Sequence, residues 1–139
     1  MKPRHGRLKA NGVRLHYIEW GLETAPAWLL LHGFTGTARQ WQPLAEAFCH
    51  RFRLIALDQR GHGHSDWAPE AAYSTADHMA DISCLVEHLG LKHLLLAGHS
   101  MGGRNAMLYA VSRPERVSRL VIVDARPGPD PASSRALES

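Results

Sequence analysis

Ser100 stands at the centre of the stretch Gly98-His99-Ser100-Met101-Gly102-Gly103, and its hydroxyl is a candidate nucleophile. The stretch follows an apolar run at 94–97, which favours a buried strand, and it precedes a helical pattern. A chain that turns from strand to helix at one residue holds that residue in an unusual backbone conformation. The neighbouring residues must then be small, because strand and helix pass too closely for a Cβ atom. Gly98 and Gly102 meet this need, so we predict a nucleophile elbow with Ser100 exposed at its tip, above the N-terminus of a helix.

Two further stretches also follow unbroken apolar runs. Residues 28–31 lead into His32-Gly33-Phe34-Thr35-Gly36, and residues 54–57 lead into a glycine-rich loop at 58–65. Continuous apolar runs of this length are typical of strands that are covered on both faces. We therefore predict that both stretches are loops at the ends of buried strands.

The elements that position these stretches alternate along the chain. Residues 7–10 and 13–20 alternate in polarity around Asn11-Gly12, a dipeptide that type I′ turns favour, which predicts an antiparallel hairpin. Three helices are predicted. The first covers about 39–49, the second runs from an N-cap at Ser74 or Thr75 to Gly90, and the third runs from Ser100 to Pro114. The last predicted strand lies at 120–123. Such alternation builds βαβ units. The predicted fold class is α/β, with a mostly parallel sheet, helices on both faces and an N-terminal antiparallel hairpin at one edge.

The composition is that of one soluble globular domain, with 139 residues, 45% hydrophobic and 21% charged. Basic residues are scattered and the net charge is +3, so we expect no nucleic-acid partner. The longest apolar runs have about five residues against roughly 18 for a membrane span, and no signal-peptide pattern is found. We therefore expect no membrane partner and a cytoplasmic location. Cys49 and Cys84 have no second ligand nearby in the sequence, so we expect buried free thiols and no metal site.

The turn at 32–34, the loop at 58–65 and the elbow at 98–103 occur in the order typical of the α/β-hydrolase fold superfamily, which the chain resembles over about residues 7–125. The resemblance implies that residues 1–125 are the N-terminal part of the core domain. It also implies that residues 126–139, rich in Pro, Gly and Ser, are a tail that begins the missing cap region. The predicted fold is therefore an incomplete α/β-hydrolase fold.

The resemblance also assigns site residues. It implies that Ser100 is the nucleophile, that the backbone N–H groups of Met101 and Phe34 form the oxyanion hole, and that Phe34 lines the acyl pocket. Two fixed donors and a helix N-terminus stabilise the charge that develops on a carbonyl oxygen by several kcal/mol. The residues that then belong to the structural motif are His32, Gly33, Asp58, Arg60, Gly98 and Gly102.

The implied activity is hydrolysis of a small-molecule carboxylic ester, lactone or related acyl substrate, without a cofactor. Serine rather than aspartate at position 100 argues against epoxide hydrolases and dehalogenases of this fold, which form an ester intermediate on aspartate. A serine nucleophile needs a histidine that a carboxylate holds, and the superfamily order is Ser, acid, His. No histidine follows Ser100, so we expect this 139-residue chain to be inactive.

Ten histidines precede Ser100, and none is expected to serve as the base. His99 is next to the nucleophile, but consecutive residues in a tight elbow point apart. His32 is expected to stabilise its turn. His62 and His64 are expected to be structural residues or to lie at the rim of the site.

Four other polar residues carry two interpretations each. Asp124 is a candidate triad acid, because some members of the superfamily place the acid after the sixth strand, although an aspartate capping a strand end is favoured. Arg104, four residues after Ser100, can reach a substrate carboxylate, although a solvated surface arginine is favoured. Asp58 and Arg60 resemble catalytic groups, but we expect them to hold their loop through hydrogen bonds and a local ion pair.

Two other functions stay open. Residues 32–36 with 100–104 are similar to the synthase of menaquinone biosynthesis that expels pyruvate; in such a lyase the serine acts as a base and Arg104 holds an acidic substrate. Alternatively, the chain is a non-catalytic fragment or a partner-dependent half, because the histidine is absent. The strand at 120–123 then presents unpaired backbone groups, and we expect self-association through this edge.

Overall fold

The computed structural model describes residues 2–125, so the predicted tail at 126–139 lies outside the described part of the chain. The described elements, in chain order, are β1 (Arg4–Ala10), β2 (Val13–Trp20), β3 (Ala27–Leu31), α1 (Gln42–Phe48), β4 (Arg53–Asp58), α2 (Thr75–His88), β5 (Leu94–His99), α3 (Met101–Ser112) and β6 (Val117–Val123). Short 3-10 turns lie at Ala38–Trp41 and Pro69–Ala71.

The strands form one mixed sheet in the order β1-β2-β4-β3-β5-β6. β2 pairs antiparallel with both β1 and β4, whereas the pairs β3–β4, β3–β5 and β5–β6 are parallel. The predicted α/β fold class is confirmed, including the antiparallel hairpin at one edge. Because β3, β4, β5 and β6 run in the same direction, the loops that follow them meet at the carboxyl ends of these strands.

The turn of the hairpin has the conformation that its sequence demands. Asn11 has φ 49° and Gly12 has φ 83°, and Ala10 is paired with Val13 across the turn. Two consecutive positive φ angles define a type I′ turn, whose twist matches that of the strands it joins. The predicted hairpin is therefore present, and its first strand begins at Arg4 instead of residue 7.

The sheet is covered on both faces. Consecutive residues of a strand point to opposite sides, so those of the central strands pack in two different clusters. Leu29 and Leu31 of β3 belong to one buried cluster with Ile82 of α2, and this cluster also includes residues of α3. Leu30 belongs to a second cluster with Ala45 of α1. This arrangement explains why the strands read as unbroken apolar runs instead of alternating ones.

The helices agree with the sequence except at the first. α2 has Ser74 as its N-cap: the Ser74 hydroxyl accepts the Asp77 N–H at 3.2 Å, and the Asp77 carboxylate accepts the Ser74 N–H at 3.1 Å. The helix predicted at 39–49 is instead a 3-10 turn followed by α1. Pro43 has no N–H to donate to the carbonyl of Arg39, so α-helical bonding cannot extend across this position.

Two smaller predictions also need correction. β6 begins at Val117, three residues before the predicted start. Cys49 and Cys84 are free, as expected, but both are half-buried instead of buried.

Within residues 2–125, no helix has both the length and the apolar character that crossing a membrane requires.

Candidate active site

The chain changes from strand to helix at Ser100 alone. β5 ends at His99 and α3 begins at Met101. Ser100 has φ 53° and ψ −115°, a conformation that L residues rarely adopt and that costs on the order of 1–3 kcal/mol. The residue is partly exposed. The structure therefore has the strained turn that the elbow pattern predicts.

Glycine is required at two positions of this elbow. A Cβ atom at Gly98 would overlap the backbone of Gly102 and Gly103. A Cβ atom at Gly102 would overlap the carbonyl groups of Leu31 and His32 at the end of β3. The first turn of α3 therefore packs directly on two strands, with no room for side chains between them.

The turn after β3 lies against the elbow. β3 and β5 are parallel neighbours, and a Cβ atom at Gly33 would be 3.4 Å from the Cβ atom of Ser100. Phe34 follows Gly33 and is 70% exposed. Met101 is the first residue of α3, where backbone N–H groups have no partner within the helix. The two segments that carry the predicted oxyanion donors thus meet at Ser100, while the donor role itself stays a prediction.

The last strand also ends at the elbow. Val123 is paired with His99, and its carbonyl accepts the backbone N–H of Ser100 at 3.0 Å. Asp124 comes next, is exposed and has φ 51°. The structure therefore places this candidate acid at the carboxyl ends of the parallel strands, where Ser100 also lies. Its role as an acid stays a prediction.

Arg104 lies one helical turn after the elbow. Its backbone N–H donates to the carbonyl of Ser100 at 3.1 Å, and the residue is half-buried. Among the ion pairs between residues 2 and 125, none involves Arg104. Contact between this guanidinium and a substrate stays a prediction.

The carboxylate of Asp58 is bound entirely by the protein around it. It accepts the backbone N–H of Ala38 at 2.7 Å, the backbone N–H of His64 at 3.0 Å and the Nδ1–H of His16 at 2.7 Å. Burial by itself would raise the pKa of Asp58, but these hydrogen bonds hold the pKa below its ordinary value. Asp58 is therefore ionised and fixes the start of its loop.

The local ion pair expected for Asp58 and Arg60 is wrong. Arg60 instead pairs with Asp81 of α2, with Nε to Oδ2 at 2.7 Å and Nη2 to Oδ1 at 2.9 Å. The guanidinium also donates to the carbonyls of Ala72 and Asn11 at 2.6 and 3.0 Å. The partners lie in other elements because the loop folds back over α2 and the hairpin, which local sequence does not reveal.

A second histidine contact extends from Asp58. The Nε2 of His16 lies 2.9 Å from the Nδ1 of His5, so carboxylate and two imidazoles form one chain of hydrogen bonds. Burial lowers the pKa of His16, although the contact with Asp58 opposes this shift. With Nδ1–H donated to Asp58, the neutral ring accepts from His5.

The histidine rings that form hydrogen bonds in the described residues bond to groups other than the Ser100 hydroxyl. Three of these bonds are His32 Nδ1 to the Gly33 carbonyl at 2.7 Å, His62 Nε2 to the Phe34 carbonyl at 2.6 Å, and His99 Nδ1 to Gln40 Nε2 at 3.2 Å. Within residues 2–125, no histidine hydrogen-bonds to Ser100. The same residues hold no group of three or more His, Cys, Asp or Glu side chains arranged for a metal ion.

Sequence reasoning missed Gln59 and Asn105. Gln59 directly follows Asp58 and is 1% exposed, and Asn105 lies in the second turn of α3 and is 3% exposed. The Asn105 Nδ2 donates to the Gln59 Oε1 at 2.9 Å. No motif marks either residue, because a single sequence shows polar side chains but not their burial.

Comparison with known families agrees with this geometry. A family model described as the alpha/beta hydrolase fold matches residues 26–139. The chain therefore belongs to the alpha/beta hydrolase fold family.

The relatives of the chain include hydrolases. It is 38% identical over 133 residues to the 2-(acetamidomethylene)succinate hydrolase of Mesorhizobium japonicum, covering 96% of this chain and 47% of that protein. It is 40% identical over 121 residues to a Bacillus subtilis protein named for 2-succinyl-6-hydroxy-2,4-cyclohexadiene-1-carboxylate synthase activity, covering 86% and 43%. The thioesterase domain from the curacin biosynthetic pathway superposes with a TM-score of 0.87 at 28% identity, covering 99% of this chain and 52% of that domain. The chain thus spans less than half the length of these two curated relatives.

Proposed function

We propose that the chain carries the nucleophile and the oxyanion hole of a serine hydrolase for a carboxylic ester, lactone or related acyl substrate. The observation that carries this proposal is the backbone of Ser100, with φ 53° and ψ −115°, held between β5 and α3 beside Gly33. A strained conformation persists only where the surrounding structure imposes it, and functional sites are where such strain concentrates.

In the proposed reaction, the Oγ of Ser100 bonds to the carbonyl carbon of the substrate while the π electron pair moves to the carbonyl oxygen. The backbone N–H groups of Met101 and Phe34 donate to this oxygen, and the N-terminus of α3 adds its positive dipole end. Loss of one such donor costs about 3 kcal/mol of transition-state stabilisation in serine hydrolases. The bond from the carbonyl carbon to the leaving group breaks as the carbonyl re-forms, and the leaving group takes up the proton removed from Ser100. Water then hydrolyses the acyl ester on Ser100, which releases the acid and restores the hydroxyl.

The hydroxyl proton of Ser100 needs a base, and a histidine hydrogen-bonded to Ser100 is absent from residues 2–125. Residues 126–139 contain no histidine. We propose that these 139 residues supply the nucleophile but not the histidine, and that Asp124 is the candidate carboxylate to orient one. The 139-residue chain alone is then inactive.

Covalent labelling by a fluorophosphonate tests the nucleophile in the full chain as its gene encodes it. We expect Ser100 to be labelled and the label to be lost in Ser100→Ala. Ser118→Ala, which changes an exposed serine of β6, serves as the matched control and keeps the label. Equal labelling of wild type and Ser100→Ala would contradict the proposal.

Hydrolysis of p-nitrophenyl acetate and butyrate tests the missing base in the 139-residue chain. We expect a folded chain, judged by circular dichroism, that turns over no faster than Ser100→Ala. Turnover that depends on Ser100 would show that the base comes from within the chain or from a second copy, and the proposal of a missing histidine would be wrong.

Arg104 favours a second candidate, a lyase of the same fold in which Ser100 acts as a base and pyruvate is eliminated. Arg104 is half-buried and lies one helical turn after Ser100, and the Bacillus subtilis relative is named for a carboxylate product. We then expect Arg104→Ala to raise KM for an acidic substrate at least tenfold, with Arg104→Lys less affected. Release of pyruvate is the readout, and unchanged release by Arg104→Ala would exclude this candidate.

A further inference from the structure

Gln59 is the centre of a buried hydrogen-bond network that joins three elements of the site. Its Nε2 donates to the carbonyl of His32 at 2.7 Å, after β3. Its Oε1 accepts the Nδ2–H of Asn105 at 2.9 Å, on α3. Its backbone N–H donates to the Nε2 of His32 at 3.0 Å. Each of the three residues is at most 3% exposed.

The network sets the tautomer of His32. Because Nε2 accepts the N–H of Gln59, the ring proton is on Nδ1, which donates to the carbonyl of Gly33 at 2.7 Å. Burial lowers the pKa of His32 to about 4, so the ring stays neutral near pH 7. The direction of this chain of bonds therefore runs from Gln59 through His32 to Gly33.

The carbonyl of Gly33 belongs to the same peptide unit as the N–H of Phe34. In a trans peptide these two groups point in opposite directions, so fixing one fixes the other. The Gly33 carbonyl also accepts the N–H of Gly36 at 2.9 Å, and the Phe34 carbonyl is bonded by His62. The orientation of the Phe34 N–H is thus imposed by partners of the carbonyl groups on both sides of it.

We propose that Gln59 is a positioning residue that aligns the Phe34 N–H with the helix carrying Ser100 and Met101, through His32 on one side and Asn105 on the other. Gln59 does not touch the reacting atoms. The two oxyanion donors come from different elements, and the Asn105–Gln59–His32 chain is a direct polar link between those elements. This inference rests on the proposed serine chemistry.

The network also has a structural role, because it satisfies the buried carbonyl of His32 and the buried backbone N–H of Gln59. Kinetic measurements are therefore needed to separate positioning from stability. A positioning role predicts a specific loss in the transition state, whereas a purely structural role predicts a loss of stability only.

The test uses Gln59→Met in the full chain as its gene encodes it, with p-nitrophenyl butyrate as substrate. We expect kcat to fall about 10- to 100-fold with KM changed less than about threefold. Phenylboronic acid, which forms a tetrahedral adduct on a serine, should lose affinity by a factor similar to that of kcat/KM. Gln42→Met changes a glutamine on α1 whose side chain hydrogen-bonds to Glu46, and it is the matched control with unchanged kinetics.

A second variant keeps the inference testable if Gln59→Met does not fold. Asn105→Ala breaks the same chain from the helix side, and we expect a similar fall in kcat. Unchanged kcat and unchanged boronate affinity in a folded variant would overturn the inference while Ser100 is still labelled by a fluorophosphonate. If Ser100 is not labelled in the wild type, the proposed function fails and the positioning role fails with it.

Discussion

Arg60 and Asp81 form a two-point ion pair in the interior of the protein, with side chains 1% and 2% exposed. The pair fastens the loop after β4 onto α2, and Arg60 also reaches the hairpin turn through the carbonyl of Asn11. Burial raises the pKa of Asp81 even though the contact with Arg60 opposes the shift. In a buried pair of this kind, the removal of one partner is the costly change, because it leaves the other group buried without its partner.

Removal of one partner should be costly. We expect Arg60→Met to lower the free energy of unfolding by about 3–5 kcal/mol, because it leaves the Asp81 carboxylate buried without a partner. The double variant with Asp81→Leu should recover a large part of that loss. Urea denaturation followed by circular dichroism measures both. Glu87→Gln, which breaks the exposed pair with Arg116, should cost less than about 1 kcal/mol. A single variant as stable as the wild type would contradict the prediction.

Gly102→Ala should destabilise the elbow. Its Cβ would overlap the carbonyls of Leu31 and His32, which are backbone atoms that cannot rotate away. We expect a loss of about 1–3 kcal/mol or more, the range for overpacked interiors. Gly90→Ala is the comparison, since a Cβ there meets nothing within 4 Å and only its φ of 65° opposes the change. Urea denaturation should give a lower midpoint for Gly102→Ala than for Gly90→Ala. Equal midpoints would argue against close packing at Gly102.

Stability should fall on moderate acidification. Burial lowers the pKa of His32 and of His78 to about 4, below the ordinary 6.5. Between these values the unfolded chain binds protons that the folded chain does not, so the free energy of unfolding decreases as pH falls from about 6.5 to about 4. The loss reaches up to about 3 kcal/mol for each ring at the acid end, and the contribution is fully present above about pH 6.5.

Urea midpoints at several pH values between 7 and 4 measure this effect. His78→Leu should flatten the dependence, whereas His88→Gln, at an exposed position of α2, should leave it unchanged. If the urea midpoint of His78→Leu depends on pH as strongly as that of the wild type, the His78 ring does not contribute to the loss of stability in acid.

Self-association of the isolated 139-residue chain is a further expected outcome. β6 pairs with β5 on one side, and in the described residues no strand pairs with its other edge. The side chains of Leu120, Val121 and Val123 are 39%, 47% and 45% exposed. We propose that two copies pair through this edge, because an open apolar strand is a template for another strand.

Size exclusion with light scattering over a range of concentrations tests the association. Val121→Lys should reduce it by placing a charge on the strand, while Val111→Lys, at an 80% exposed position of α3, should not. A monomer at every concentration would refute the proposed pairing.

The elbow was readable from sequence because its physics is local. Ser100 must turn the chain within one residue, and Gly98 and Gly102 must be small for that turn, so residue type and spacing are sufficient evidence. The network around Gln59 could not be predicted from the sequence, because His32 is 27 residues and Asn105 is 46 residues from Gln59 along the chain. The side chains meet only because β3 pairs with β4 and α3 packs on the sheet.

The sequence by itself determined the strands, the hairpin turn and the family, because each depends on periodicity or on the conformational limits of a few adjacent residues. The tertiary structure decided which polar groups lose water and which partners they then must take. Asp58 bonds to His16 and Arg60 to Asp81, although the expectation placed an ion pair within their own loop. Buried polar groups are satisfied by whatever the fold brings within about 3 Å, and sequence distance carries no information about that.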